Sequence, residues 1–84
     1  NRADSRIITH KSTALAAQTF MLSMQAEGYG TCPMEGFDEK RLKRFLNLPG
    51  RSEINMVIAT GPADEAGIYS PRFRFPYDEV VKVW

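Results

Sequence analysis

The sequence predicts a mixed chain of helix and strand that is incomplete as a domain, and three stretches predict it. Residues Ala14 to Glu27 are rich in Ala, Leu, Met, Gln and Glu, which enter a helix at little cost. Behind Asp38, Leu42, Phe45 and Leu46 recur at helical spacing, with Lys40, Arg41, Lys43 and Arg44 mostly on the other side. Ile54 to Thr60 is a mostly apolar run on both alternating faces, the pattern of a central strand in a covered sheet. One long helix, one short helix and one central strand cannot cover each other, and a central strand needs neighbours. Other segments are therefore expected to complete the fold.

In chain order, Asn1 to Lys11 is largely polar, with Ile7 and Ile8 its main apolar residues, and reads as an irregular lead-in. Ser12 or Thr13 can cap the long helix. The apolar residues of Ala14–Glu27 wrap around most of that helix, which predicts burial in a larger body. Gly28 is its expected stop. Gly28 to Pro33 reads as a loop by its glycines and proline. Asp38 is the expected N-cap of the second helix, with Phe37 and Leu42 at the spacing of a hydrophobic staple. That helix is expected over Glu39–Asn47, ended by Pro49-Gly50. Gly61-Pro62 should stop the strand, and Ala63 to Gly67 should be a loop. Arg72-Phe73-Arg74-Phe75 alternates charge with aromatic between Pro71 and Pro76, and Val80 to Trp84 is a β-prone tail.

Composition excludes several function classes. At 84 residues the chain holds one small domain at most, of a size that usually needs disulfides, metals or oligomerisation. Cys32 is the only cysteine, so no disulfide forms within the chain, and with His10 as the only histidine a zinc site is not expected. A lone cysteine suits a reducing compartment, so a cytoplasmic location is expected. A net charge of +1 gives no global field for nucleic acid or anionic lipid. No apolar run is long enough to cross a bilayer. The chain starts at Asn1 rather than Met, so its true N-terminus is expected to be absent or processed.

Two stretches are candidates for chemistry. Gly28 to Gly36 is glycine-rich, and glycine lets a backbone approach a flat or phosphorylated ligand, although most such loops are only turns. Arg72 and Arg74, two residues apart in an extended segment, point to one face. Two guanidinium groups there suit a phosphate, and a solvated edge is the alternative. Phe73 and Phe75 would face the core. The basic residues from Lys40 to Arg51 have Glu35, Asp38, Glu39 and Glu53 nearby and no stacking aromatics interleaved, so they read as a solvated helix face rather than a nucleic-acid site. Cys32 has no nearby histidine to act as its base and reads as an ordinary loop cysteine. His10 reads as a surface residue. No residue is singled out as a general acid, general base or metal ligand.

Thr31-Cys32-Pro33-Met34-Glu35-Gly36-Phe37-Asp38, following the helical run, resembles the loop of the nitroreductase family. Ala16 to Leu22, Glu27-Gly28-Tyr29-Gly30, Leu48-Pro49 and Ser70 to Pro76 match that family's pattern in order, so the resemblance spans roughly Ser12 to Pro76. It implies an α+β fold, with residues 1–84 forming the C-terminal part of a single domain whose N-terminal part is absent. It also implies a homodimer binding flavin mononucleotide (FMN) at its interface. By resemblance, the backbone of Glu35 and Gly36 approaches the flavin N5, Pro33 and Met34 line the same ring face, and Arg72 and Arg74 hold the phosphate. The long helix would lie at the dimer core, and Val80–Trp84 would reach onto the partner. The implied reaction passes hydride from NAD(P)H through FMN to a nitroaromatic, quinone or similar acceptor. The alternative is a non-catalytic fragment or dimerisation module with an incomplete flavin site.

Overall fold

The computed structural model describes every residue from Asn1 to Trp84. The elements are a helix α1 (Arg2–Ala26), a strand β1 (Tyr29–Met34), a helix α2 (Glu39–Phe45), a strand β2 (Val57–Pro62), a single 3-10 turn (Glu65–Gly67) and one final helical turn α3 (Tyr77–Val80). The architecture is α+β, with α1 packed on a two-stranded antiparallel sheet.

α1 begins eleven residues or so before its expected start. The Asn1 side chain accepts the Asp4 N–H at 2.9 Å, and Asp4 Oδ2 accepts from the Asn1 amine at 3.4 Å, a reciprocal capping box. Neither Gly nor Pro interrupts Arg2–Ala26, so a helix nucleated at this cap propagates through the stretch expected to be irregular. Thr13, expected as a cap, instead donates its hydroxyl back to Thr9 O at 2.8 Å, and Thr9 does the same to Ser5 O. Gly28 ends the helix as expected: it takes φ +89°, a conformation that strains any side chain, and its N–H bonds Gln25 O at 3.0 Å.

The helix is not enclosed in this chain. His10, Ala14, Ala17, Met21 and Met24 are half-buried at alternating spacings of four and three, one continuous face. Leu15 and Leu22 lie on the other side, 72% and 62% exposed. No residue of the chain is fully buried. These 84 residues supply cover for only one side of α1, and the burial expected for the other side is in a larger body.

Gly28–Pro33 is not a loop: β1 occupies Tyr29–Met34 and pairs with β2 from Tyr29 opposite Pro62 to Met34 opposite Val57. β2 itself lies later than the expected Ile54–Thr60, and Gly61-Pro62, expected to stop it, completes the ladder. Each strand has one partner, so both are edges, and edges tolerate Pro33 and Pro62, which lack a donor. Gly30 is required for a close crossing. A Cβ there would stand 3.1 Å from Ala63 Cβ and 3.3 Å from Ala63 Cα.

α2 keeps the expected N-cap, Asp38, whose Oδ1 accepts the Arg41 N–H at 3.2 Å. It closes with a Schellman pattern: Leu48 N bonds Lys43 O at 2.9 Å and Asn47 N bonds Arg44 O at 3.1 Å, with Asn47 at φ +55°. Toward the C-terminus, residues 71–76 form no regular element, residues 81–84 of the expected β-prone tail form no strand, and Tyr77–Val80 is a helical turn. Pro76 leads into it, and Asp78 and Glu79 suit the positive end of its dipole. Phe73 and Phe75 share a side as expected, in an edge-to-face pair with centroids 5.2 Å apart, but both are exposed and face no core.

Candidate functional site

The Pro33-Met34-Glu35-Gly36 segment is short and held at both ends. Pro33 and Met34 are the last rungs of β1, opposite Ile58 and Val57. Asp38, two residues past Gly36, is already the cap of α2. Two fixed elements thus leave Glu35 and Gly36 little freedom in where the backbone runs. All four residues are exposed, and a Cβ placed on Gly36 would meet no atom within 4 Å. The segment therefore offers bare backbone on an open side, the surface a flat ring needs for close approach.

The two arginines are placed differently. Arg72 lines a cavity of about 730 Å³ beside the β1–β2 pair, with Gly30, Thr31, Cys32, Thr60 and Asp64. Cys32 directly precedes Pro33, so this cavity adjoins the exposed segment along β1. Arg74 turns its Nη1 onto Phe73 O at 2.7 Å and does not line the cavity. Cys32 itself is exposed, with only a 3.9 Å sulfur contact to Pro33 O and no histidine beside it.

An FMN fits this donor set in its essentials. The open backbone at Gly36 suits a planar ring, and the Arg72 guanidinium at a neighbouring cavity suits a phosphate. The Arg74 guanidinium has donors beyond the one bonded to Phe73 O.

A second polar cluster was not visible in the sequence. Arg6 Nε donates to Glu53 Oε1 at 2.6 Å, and His10 Nε2 lies 3.4 Å from the same oxygen. Asn55 Nδ2 sits 3.0 Å from His10 Nδ1 and 3.2 Å from His10 O. With the Asn55 amide donating, Nδ1 accepts and Nε2 carries the proton toward Glu53. Hydrogen bonds from Arg6 first, then His10, hold the Glu53 carboxyl below the ordinary glutamate range. The cluster pins the N-terminal half of α1 to the segment ahead of β2. Only the helical register of Arg6 and His10 could have suggested it, and that register falls in the stretch expected to be irregular. Asn55 Oδ1 is buried without a partner.

The basic residues of α2 are structural at one position: Lys43 Nζ donates to Gly50 O and Ser52 O, both at 2.9 Å, and fastens the loop after the helix. No group of three His, Cys, Asp or Glu side chains could hold a metal ion. No helix is long and apolar enough to cross a membrane.

Comparison with known proteins points one way. The model of the Nitroreductase family matches residues 1–62. MhqN of Bacillus subtilis, provisionally named an NAD(P)H nitroreductase, is 36% identical over 72 residues, covering 86% of this chain and 35% of its own. An NADH dehydrogenase of Thermus thermophilus is 38% identical over 61 residues, covering 73% of this chain and 29% of its own. Among solved structures, the B. subtilis nitroreductase YdfN superposes at a TM-score of 0.91 with 33% identity, covering 100% of this chain and 41% of its own. A Staphylococcus epidermidis protein described as an NAD(P)H:FMN oxidoreductase superposes at 0.87 with 25% identity, covering 100% of this chain and 39% of its own. The chain spans about a third of the length of the curated relatives it matches.

Proposed function

Because the chain belongs to the nitroreductase family, we propose that it is the C-terminal part of an FMN-dependent oxidoreductase passing hydride from NAD(P)H to a nitroaromatic, quinone or similar acceptor. The observation that carries this reading is the exposed Pro33–Gly36 backbone, open at Gly36 and adjoining the Arg72 cavity. FMN, when bound, supplies the hydride-accepting chemistry. The chain's own residues bind and orient. Pro33 and Met34 line one ring face, and the Glu35–Gly36 backbone approaches the reactive edge. Arg72 and Arg74 hold the phosphate through charge-assisted hydrogen bonds. No side chain here acts as a general acid or base.

The outward face of α1 supports a homodimer. Leu15 and Leu22 are long apolar side chains without cover in this chain, and a partner helix would bury them. The unpaired Cys32 suits a cytoplasmic setting. The same outward face also favours a second reading, a dimerisation module with an incomplete flavin site.

The deciding experiment is the flavin content of the full-length protein that carries these residues. A yellow dimer with one FMN per subunit, oxidising NAD(P)H when a quinone or nitroaromatic is supplied, is the expected result. A dimer that stays colourless after incubation with FMN would leave the module reading in its place.

A further inference from the structure

We propose that the cavity between the start of α1 and the loop after α2 binds a phosphoryl anion at a site separate from the flavin site. The cavity measures about 410 Å³ and has no hydrophobic residue in its lining. Arg2 and Arg6 reach it from α1 and Arg51 from the loop, so three guanidinium groups from two elements meet one carboxylate, Glu53.

The pairing within the cluster leaves charge to spare. The ion pairs of the chain are Asn1 with Asp4 and Arg6 with Glu53, and His10 Nε2 lies 3.4 Å from the same Glu53 oxygen. Glu53 is thus committed to Arg6 and His10. Arg2 and Arg51 have no carboxylate. The hydroxyls of Ser5 and Ser52 also line the cavity. His10 has both ring nitrogens engaged, by Asn55 and Glu53, and takes no part in binding the anion.

The placement of the arginines runs against helix energetics. Arg2 and Arg6 stand four apart, a like-charge pair that repels. Both lie in the opening turns of a 25-residue helix, where the dipole favours negative charge. Local choices that oppose stability collect at binding sites. A phosphoryl group in the cavity would reverse each conflict: it neutralises the arginines, accepts their forked donors, and sits at the positive end of α1. The anion could be free or carried by a nucleotide.

The test uses the full-length protein loaded with FMN, so that the flavin site is already filled. Titration calorimetry with inorganic pyrophosphate at low ionic strength should give saturable binding. The double variant R2Q/R51Q should weaken it at least tenfold, with flavin absorbance and melting temperature unchanged. A control variant K40Q/R41Q removes the same charge from α2 and should bind as the parent does. Competition by NADP⁺ would assign the anion to a nucleotide, and its absence would assign it to free phosphate. No saturable binding, equal binding by R2Q/R51Q, or equal loss in K40Q/R41Q would overturn the site. If the protein takes up no flavin, the same titration still reads this site, so the two readings fail separately.

Discussion

Arg6 Nε lies 2.6 Å from Glu53 Oε1, and these residues, 47 positions apart, fasten the first two turns of α1 to the segment that leads into β2. The contact is partly solvated, with side chains 63% and 37% exposed, so its value is modest and depends on charge.

That charge gives a pH dependence with a definite sign. Arg6, and then His10, lower the Glu53 pKa in the folded chain. A lowered folded pKa means the contribution is present above the unfolded value and is lost as pH falls through the folded one. The loss should begin near the ordinary glutamate pKa of about 4.3 and be complete below the lowered value. In the full-length protein, urea midpoints taken across this acid range should fall more steeply for the parent than for Glu53→Gln. Parallel slopes would contradict the assignment.

Two left-handed residues invite opposite substitutions. Gly28 at φ +89° ends α1, and Gly28→Ala should cost about 1–2 kcal/mol in chemical denaturation, because L side chains are strained there. Asn47 at φ +55° ends α2, and Asn47→Gly should be neutral or stabilise by a few tenths of a kcal/mol. If both changes destabilise alike, hydrogen bonding rather than backbone strain governs these ends.

At the proposed flavin site, steric change at Gly36 should separate binding from folding. Nothing stands within 4 Å of a Cβ there, so Gly36→Val should leave the melting temperature unchanged. FMN affinity should fall about tenfold or more, equivalent to about 1.4 kcal/mol of lost approach. Unchanged affinity would move the ring elsewhere.

The same titration ranks the arginines. Arg72 lines the cavity along β1, whereas Arg74 is bonded to Phe73 O. Arg72→Ala should cost about 1.5–3 kcal/mol of FMN binding, the range of a hydrogen bond to a charged group. Arg74→Ala should cost less, since breaking its backbone bond offsets part of any gain at the phosphate. A larger effect from Arg74 would reverse the assignment of the two side chains.

The sequence carried some of this structure and hid the rest for identifiable reasons. Asp38 with Arg41, and Gly28 at the close of α1, are local devices whose hydrogen bonds span only a few residues, so their signals sit in the sequence itself. β1 was hidden because Gly30 and Pro33 argue for a turn, and what makes them strand residues is pairing with Gly61 and Ile58 far along the chain. The early start of α1 was hidden because Asn1 and Asp4 outcompete Thr13 as a cap, a contest that composition does not settle. Among the candidate site residues, the stretch Gly28–Gly36 was legible only as glycine-rich, and Pro33, Met34, Glu35 and Gly36 were singled out by the family resemblance alone. The Arg6–Glu53 contact depends on long-range folding and left no trace.

Expressed alone, the 84-residue chain should not unfold cooperatively. None of its residues is fully buried, and the apolar side of α1 bearing Leu15 and Leu22 faces outward. A single helix on a two-stranded sheet removes too little apolar surface from water to offset the conformational entropy of ordering the chain. The isolated chain should therefore bind a hydrophobic dye, give weak near-ultraviolet circular dichroism, and melt gradually. Adding the remaining segments of the parent protein should remove dye binding and produce one sharp transition. A sharp transition from a concentrated sample of the isolated chain, lost on dilution, would mean that α1 against α1 burial alone completes a core. The outward face of α1 would then be the principal source of stability rather than one contributor among several.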